Sequence, residues 1–321
     1  MKAQWRGDPE LVQAVEGVLQ PSGAAAVAVI TSQRELVATA GADGNSTFEI
    51  GSISKTLTGM LYRDAVERGL VNETAVLKEL LPLDRHGAIG SVTLSSLATH
   101  RSGLPGLPPG MHPLRRSLDL WLRGENPYGD SLADLLEQTR TVRIGAHRPK
   151  YSNLGFQLLG HAVAGAVGTS YEPLVHEVLG RGFSAPSHME DLGPSDLPGF
   201  SRLGRPTQAW VGEALAPAGG VRASITTMSE LLRSLLDGTA RGISALDPVA
   251  DFTSRSKIGA GWMTLEVRGH TITWHNGSTG GFSSCIGLNR EAGVGVVVLS
   301  ATHKAVDGSG VRLLMDFTKQ P

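Results

Sequence analysis

Apolar residues along this chain follow two different periods, and the switch between them marks its regions. Residues 8–19 begin acidic and then place Leu11, Val12, Val15, Val18 and Leu19 on one stripe, which predicts an amphipathic helix ending before Pro21. Two β-rich runs follow, at 24–31 and 35–40, separated by a polar turn. After Phe48-Glu49-Ile50-Gly51 the helical period returns. Ile53, Leu57, Met60 and Leu61 form the packing flank of a helix predicted from about residue 52 to 68 and closed by Gly69.

The middle, from about 90 to 215, mixes short helical patterns with many prolines and glycines, as in 103–110 and 193–206, and reads as a helical region with long loops. Residues 226–237 predict another helix. Beyond residue 260 the pattern becomes β again: runs at 261–267, 270–274, 281–288 and 294–300, joined by short turns, predict an antiparallel meander before a last helical segment at roughly 311–318. Strands at both ends with helices between them predict an α/β (α+β) fold. Residues 1–90 and 215–321 would build one central antiparallel sheet flanked by helices, 91–214 a helical insertion, and the active site would lie between the two parts.

Composition narrows the functional classes. Of the 321 residues 40% are apolar and 18% charged, and 29 basic against 30 acidic residues leave a net charge of −1. With no basic block, neither a nucleic-acid nor a membrane-surface partner is expected. The longest apolar stretches, such as 24–30 and 294–299, are strand-sized and far short of a membrane span. The opening Met-Lys-Ala-Gln-Trp-Arg-Gly-Asp-Pro-Glu lacks the apolar core of a secretory signal, so a cytoplasmic location is expected. The single cysteine, Cys285, lies in a β-run and reads as a core residue. His176-Glu177 opens like a zinc motif but lacks its second histidine, so no metal and no cofactor are expected. Neither a Gly-x-Ser-x-Gly elbow nor a phosphate-binding loop is present.

Three short motifs carry chemistry. In Ser52-Ile53-Ser54-Lys55 the first and last residues are three apart, hence neighbours on a helix face, and the serine sits where a helix N-terminus favours negative charge. A serine hydroxyl becomes a nucleophile once a neighbouring base takes its proton, and a buried lysine can serve. The spacing alone is weak, since Ser254-Arg255-Ser256-Lys257 repeats it in a polar stretch without an apolar stripe. Tyr151-Ser152-Asn153 opens a second apolar helical run; it offers a phenol for proton transfer and an amide for orientation, or equally a tyrosine packed at a helix start. The run from Trp274 to Phe282 is rich in glycine between two β-runs, which suits close backbone approach to a ligand or simply a hairpin.

Together with Val92-Thr93-Leu94, Thr99-His100, Ser102-Gly103-Leu104-Pro105, Gly219-Gly220, Gly261-Trp262 and Gly280-Gly281-Phe282, these motifs stand in the order seen in a known group. Over about residues 22–318 the chain resembles the serine β-lactamase and penicillin-binding-protein superfamily, in its class C β-lactamase-like branch with esterase, D-aminopeptidase and transacylase relatives. The resemblance implies Ser52 as nucleophile, Lys55 as its activating partner and Tyr151 as general base. It also implies Asn153 in the hydrogen-bond network, His275, Asn276 and Gly277 along the strand flanking the substrate, and the N–H groups of Ser52 and Ser278 as oxyanion hole. One departure matters. Many members of the group carry Lys-Thr-Gly where this chain has His275-Asn276-Gly277, and a neutral histidine binds a carboxylate less well than a lysine.

The expectation is therefore an enzyme that cleaves an ester or amide of a small metabolite through a Ser52 acyl-enzyme. The alternatives are a transacylase passing the acyl group to an alcohol or amine in natural-product biosynthesis, a β-lactamase or D-amino-acid peptidase, and a non-enzymatic ligand sensor.

Overall fold

The computed structural model describes residues 4–83, 86–109, 116, 119–120 and 122–319. One antiparallel sheet dominates. Its strands are β1 (Trp5–Gly7), β2 (Ala25–Ile30), β3 (Glu35–Ala40), β4 (Ala250–Thr253), β5 (Ser256–Ile258), β6 (Met263–Val267), β7 (His270–Ser278), β8 (Ser283–Asn289) and β9 (Val294–Ser300). Their order is β1-β3-β2-β9-β8-β7-β6-β5-β4, so β2 from the start of the chain pairs with β9 from its end.

The central strands read as unbroken apolar runs because both faces of the sheet are covered. On one face Ala25, Val27, Val29, Val296 and Val298 meet Leu11 and Val15 of helix α1 (Pro9–Glu16) and Leu313, Leu314 and Phe317 of the last helix, Asp307–Thr318. On the other face Ala26, Ala28, Ile30, Val297 and Leu299 pack into the larger core with helices α2 (Ser54–Glu67), α3 (Asn153–Val167) and α4 (Ile225–Leu236). Each fully buried Val, Leu or Ile contributes roughly 1.5–3 kcal/mol relative to exposure, and a one-residue slip between β2 and β9 would exchange the two faces.

Several boundaries differ from the sequence reading. Helix α1 stops at Glu16, short of residue 19, at the wide turn where Leu19 N–H still bonds to Val15 O at 2.8 Å; its start is fixed by Asp8, which accepts from the N–H groups of Glu10 and Leu11. The meander has two further strands, β4 and β5, whose short, partly exposed sequences carry no apolar run. β7 runs on to Ser278, four residues past the expected end at 274. The last helix begins at Asp307, because its glycine-containing first turn looks like a loop in sequence. The middle region carries helices at 132–139, α3 and 171–179, and it returns to the rest of the chain through Phe183–Ser184, which pairs with Arg222–Ser224. No helix among the described residues is long and apolar enough to cross a membrane.

Candidate active site

Ser52 lies in a 3-10 turn, Gly51–Ile53, immediately before α2, so the helix proper begins two residues later than the sequence predicts. Gly51 has φ +52°, and a Cβ there would stand 2.6 Å from Ser278 N. Gly277 is constrained in the same way, its absent Cβ falling 2.0 Å from Ile50 O. Only glycine at both positions lets the end of β7 close against the Ser52 turn. That contact is tied by the Ser284 hydroxyl, which donates to Ile50 O at 2.8 Å. The turn is braced from below by Ser54, whose hydroxyl donates to Gly51 O at 2.7 Å and accepts from Val221 N–H at 3.2 Å.

Lys55, one helical turn on, is completely buried. Its Nζ donates to Ser52 Oγ at 3.1 Å and to Ala218 O at 2.5 Å. Ala218 belongs to a π-type turn, Ala216–Gly220, whose irregular backbone turns carbonyls towards α2; the Thr58 hydroxyl takes another, Pro217 O, at 2.7 Å. Burial without a balancing carboxylate lowers the Lys55 ammonium from 10.5 to about 7.

Tyr151 reaches the same point from the other side. Ser152 caps α3 by accepting from Gly155 N–H at 2.9 Å, which leaves Tyr151 just outside the helix. The segment 100–106 holds this turn. The Ser152 hydroxyl donates to Pro105 O at 2.6 Å, the Asn153 and Leu154 N–H groups to Gly106 O, and Ser152 N–H to His100 Nδ1 at 3.2 Å. The His100 ring also stacks on Tyr151 with centroids 4.6 Å apart. The Tyr151 phenol is hydrogen-bonded to Ser52, and Lys55 Nζ sits 4.8 Å from its ring centre. Crowding by protein pushes the phenol upward and the Ser52 bond opposes this. Because the residue is 38% exposed along the cleft wall, solvent tempers the rise but leaves its direction. Ser52, Lys55 and Tyr151 therefore converge at one point, the first two from the segment 51–55 and the third from the start of α3.

The remaining expected residues divide. Asn153 donates to the Tyr128 hydroxyl at 3.5 Å, and its Oδ1 is buried without a hydrogen-bond partner among the described residues. His275 lies beside Tyr151, centroids 6.4 Å apart, with only 3% exposure. Burial first, then the neighbouring Lys55, lowers it to about 4, so its imidazole is neutral at pH 7. Its Nδ1 is 2.5 Å from Asn276 O, which as a carbonyl can only accept. Nδ1 thus carries the hydrogen and Nε2 the lone pair. Asn276 does not join the site. Since β7 continues through it, its side chain falls on the opposite face and donates to Asp307 at 3.2 Å. Ser278 ends the strand, its hydroxyl 3.1 Å from His303 Nδ1.

Sequence reasoning missed Tyr128, which is buried against Trp210, and assigned no role to His100. It also missed the buried cluster behind the Ser52 turn. Arg222 donates there to Glu49 at 3.1 Å and to Asp196 at 2.6 Å, and fixes the small sheet of Thr47–Glu49, Arg222–Ser224 and Phe183–Ser184. A positive φ of 55° at His100 was invisible in the sequence. Among the described residues, no three His, Cys, Asp or Glu side chains form a group able to hold a metal.

A family model described as Beta-lactamase matches residues 13–316. The chain belongs to the beta-lactamase family. Its members and neighbours are serine hydrolases, and the fold agrees. A class C beta lactamase from Rhodobacter sphaeroides superposes with a TM-score of 0.74 at 22% identity over 95% of each chain. A beta-lactamase/D-alanine carboxypeptidase from Pseudomonas syringae gives 0.78 at 15% identity, over 97% of this chain and 98% of that one. Among curated relatives, a beta-lactamase-like protein of Arthroderma benhamiae is 26% identical over 300 residues, covering 81% of this chain. A beta-lactamase of Pseudomonas fluorescens is 22% identical over 304 residues, 80% of this chain and 79% of its own. The chain spans about half the length of the fungal relative, 49%.

Proposed function

We propose that this family member cleaves an ester or amide of a small metabolite, one with no charge beside the reacting carbonyl, through an acyl-enzyme on Ser52. The observation that carries the reading is the junction of Ser52 Oγ with a fully buried Lys55 Nζ at 3.1 Å, beside the Tyr151 phenol. A lysine that titrates near 7 is a usable base at neutral pH, whereas a phenol pushed upward keeps its proton. Lys55 is therefore assigned as proton acceptor in place of Tyr151, which the family resemblance suggested as base.

Ser52 Oγ attacks the carbonyl carbon while its proton passes to Lys55 Nζ. The oxyanion forms between the N–H groups of Ser52 and Ser278. The oxyanion then collapses to a carbonyl and the scissile C–O or C–N bond breaks as the Tyr151 phenol protonates the leaving oxygen or nitrogen; the Lys55 ammonium restores the phenol proton. Water repeats the sequence on the acyl-enzyme and frees Ser52.

His275 supports the absence of charge beside the reacting carbonyl. Where a lysine would offer a cation, it offers a neutral ring with an accepting Nε2, suited to a hydroxyl or amide N–H. The test uses two ester substrates that differ in one respect: a carboxylate beside the leaving group, free in one and capped as its amide in the other. The capped ester is expected to show the higher kcat/KM, by about tenfold, with all turnover lost in Ser52→Ala. Preference for the free acid would point to a carboxylate-directed β-lactamase or peptidase instead.

A further inference from the structure

A cavity of about 660 Å3 opens beside the end of β7, bounded by Gly280 and His303 on one side and by the hairpin turn 201–205 on the other. It adjoins the catalytic cleft: Gly280 lies two residues beyond Ser278, on the order of 7 Å at extended-chain rise, and His303 contacts the Ser278 hydroxyl. Its volume is in the range of small-molecule sites, roughly 300–1,000 Å3. Two chemistries share its wall. Leu120, Leu122 and Leu203 are apolar, and Leu122 and Leu203 are 54% and 81% exposed, a large apolar surface to leave at a rim.

Arg123, Arg202 and Arg205 supply positive charge. Arg123 has Asp119 at 3.9 Å and Glu125 at 3.6 Å. The Arg202 and Arg205 side chains form no ion pair among the described residues, although the protein carries as many acids as bases to within one. The turn that bears them is fixed. Ser201 N–H bonds to Arg205 O at 2.8 Å, Arg205 N–H to Ser201 Oγ at 3.1 Å, and the flanking strands Gly199–Phe200 and Pro206–Thr207 pair.

We propose that this cavity binds the end of the substrate remote from the reacting carbonyl, and that Arg202 and Arg205 select an oxyanion there at the tip of an apolar chain. The proposal rests on the Ser52 hydrolase reading and adds the substrate class. Beside the nucleophile, His275 is neutral and a carboxylate finds no cation on β7. At the hairpin two guanidinium groups with no ion pair among the described residues can grip a carboxylate or phosphate in two-point fashion. One substrate can satisfy both conditions if its charge lies several bonds from the scissile ester.

The experiment compares p-nitrophenyl alkanoates with mono-p-nitrophenyl esters of the dicarboxylic acids of equal chain length, from four to ten carbons, and with ω-phosphate analogues. At low salt one window of chain lengths should favour the anionic ester in kcat/KM by about three- to tenfold. The ratio should fall towards one at high ionic strength, and below one in Arg202→Glu/Arg205→Glu, whose substitutions sit on an exposed turn. Whether carboxylate or phosphate gives the larger ratio identifies the group. A ratio near one at every length, with the neutral esters still hydrolysed, would overturn the proposal and leave the hydrolase standing. Hydrolysis of neither series would instead remove the hydrolase reading itself.

Discussion

Lys55→Met is expected to lower kcat/KM about 10³- to 10⁴-fold and, at neutral pH, to make the protein more stable. Both results come from one fact: an ammonium held completely inside the protein with a hydroxyl and a carbonyl for company. A fall from 10.5 in the unfolded chain to about 7 in the fold corresponds to about 5 kcal/mol at 1.36 kcal/mol for each pH unit. The sign follows from proton binding. Below pH 7 both states hold the proton and folding bears the whole desolvation cost. Between 7 and 10.5 the unfolded chain binds more protons than the folded one, so stability rises with pH; above 10.5 the cost is gone. Methionine removes the charge but leaves Ala218 O buried without its donor, at about 1–3 kcal/mol. The variant should therefore melt above the wild type below about pH 8 and below it near pH 10. A variant that is less stable at every pH would show that Lys55 is not a desolvated cation.

Tyr151→Phe is expected to lose about 10²- to 10³-fold in kcat with the melting temperature nearly unchanged. Phenylalanine keeps the ring, hence the stack on His100 at 4.6 Å and the place of the Lys55 ammonium over its face. Only the hydroxyl that meets Ser52 is deleted, on a residue that is part exposed. If Tyr151 donates a proton to the leaving group, the deficit should shrink for esters of good leaving groups such as p-nitrophenol and grow for alkyl esters. A uniform deficit across leaving groups would assign the phenol to orientation alone.

Much of this site was legible in the sequence because its parts carry local signals. Ser52 and Lys55 are one helical turn apart with an apolar flank behind them, and Tyr151 precedes a serine cap and an apolar helix. The sheet was legible where strands such as β2 and β9 are buried on both faces and so read as continuous apolar runs. What stayed hidden depends on the third dimension. β4 and β5 are held by pairing to an edge, and half-exposed residues give no pattern. Taking β7 to end at 274 concealed the alternation that turns Asn276 away towards Asp307. His100 touches Tyr151 from fifty-one positions earlier, and the burial that lowers His275 further comes from neighbours that no spacing reveals.

One nucleophile served by one neutral lysine is read out directly by fluorophosphonate labelling, with the rate followed against pH and the adduct mapped by peptide mass. The expected result is a single adduct on Ser52, formed at a rate that rises through pH 7 to a plateau and is nearly lost in Lys55→Met. An adduct on another residue, or a Ser52 labelling rate indifferent to pH and to Lys55, would contradict it.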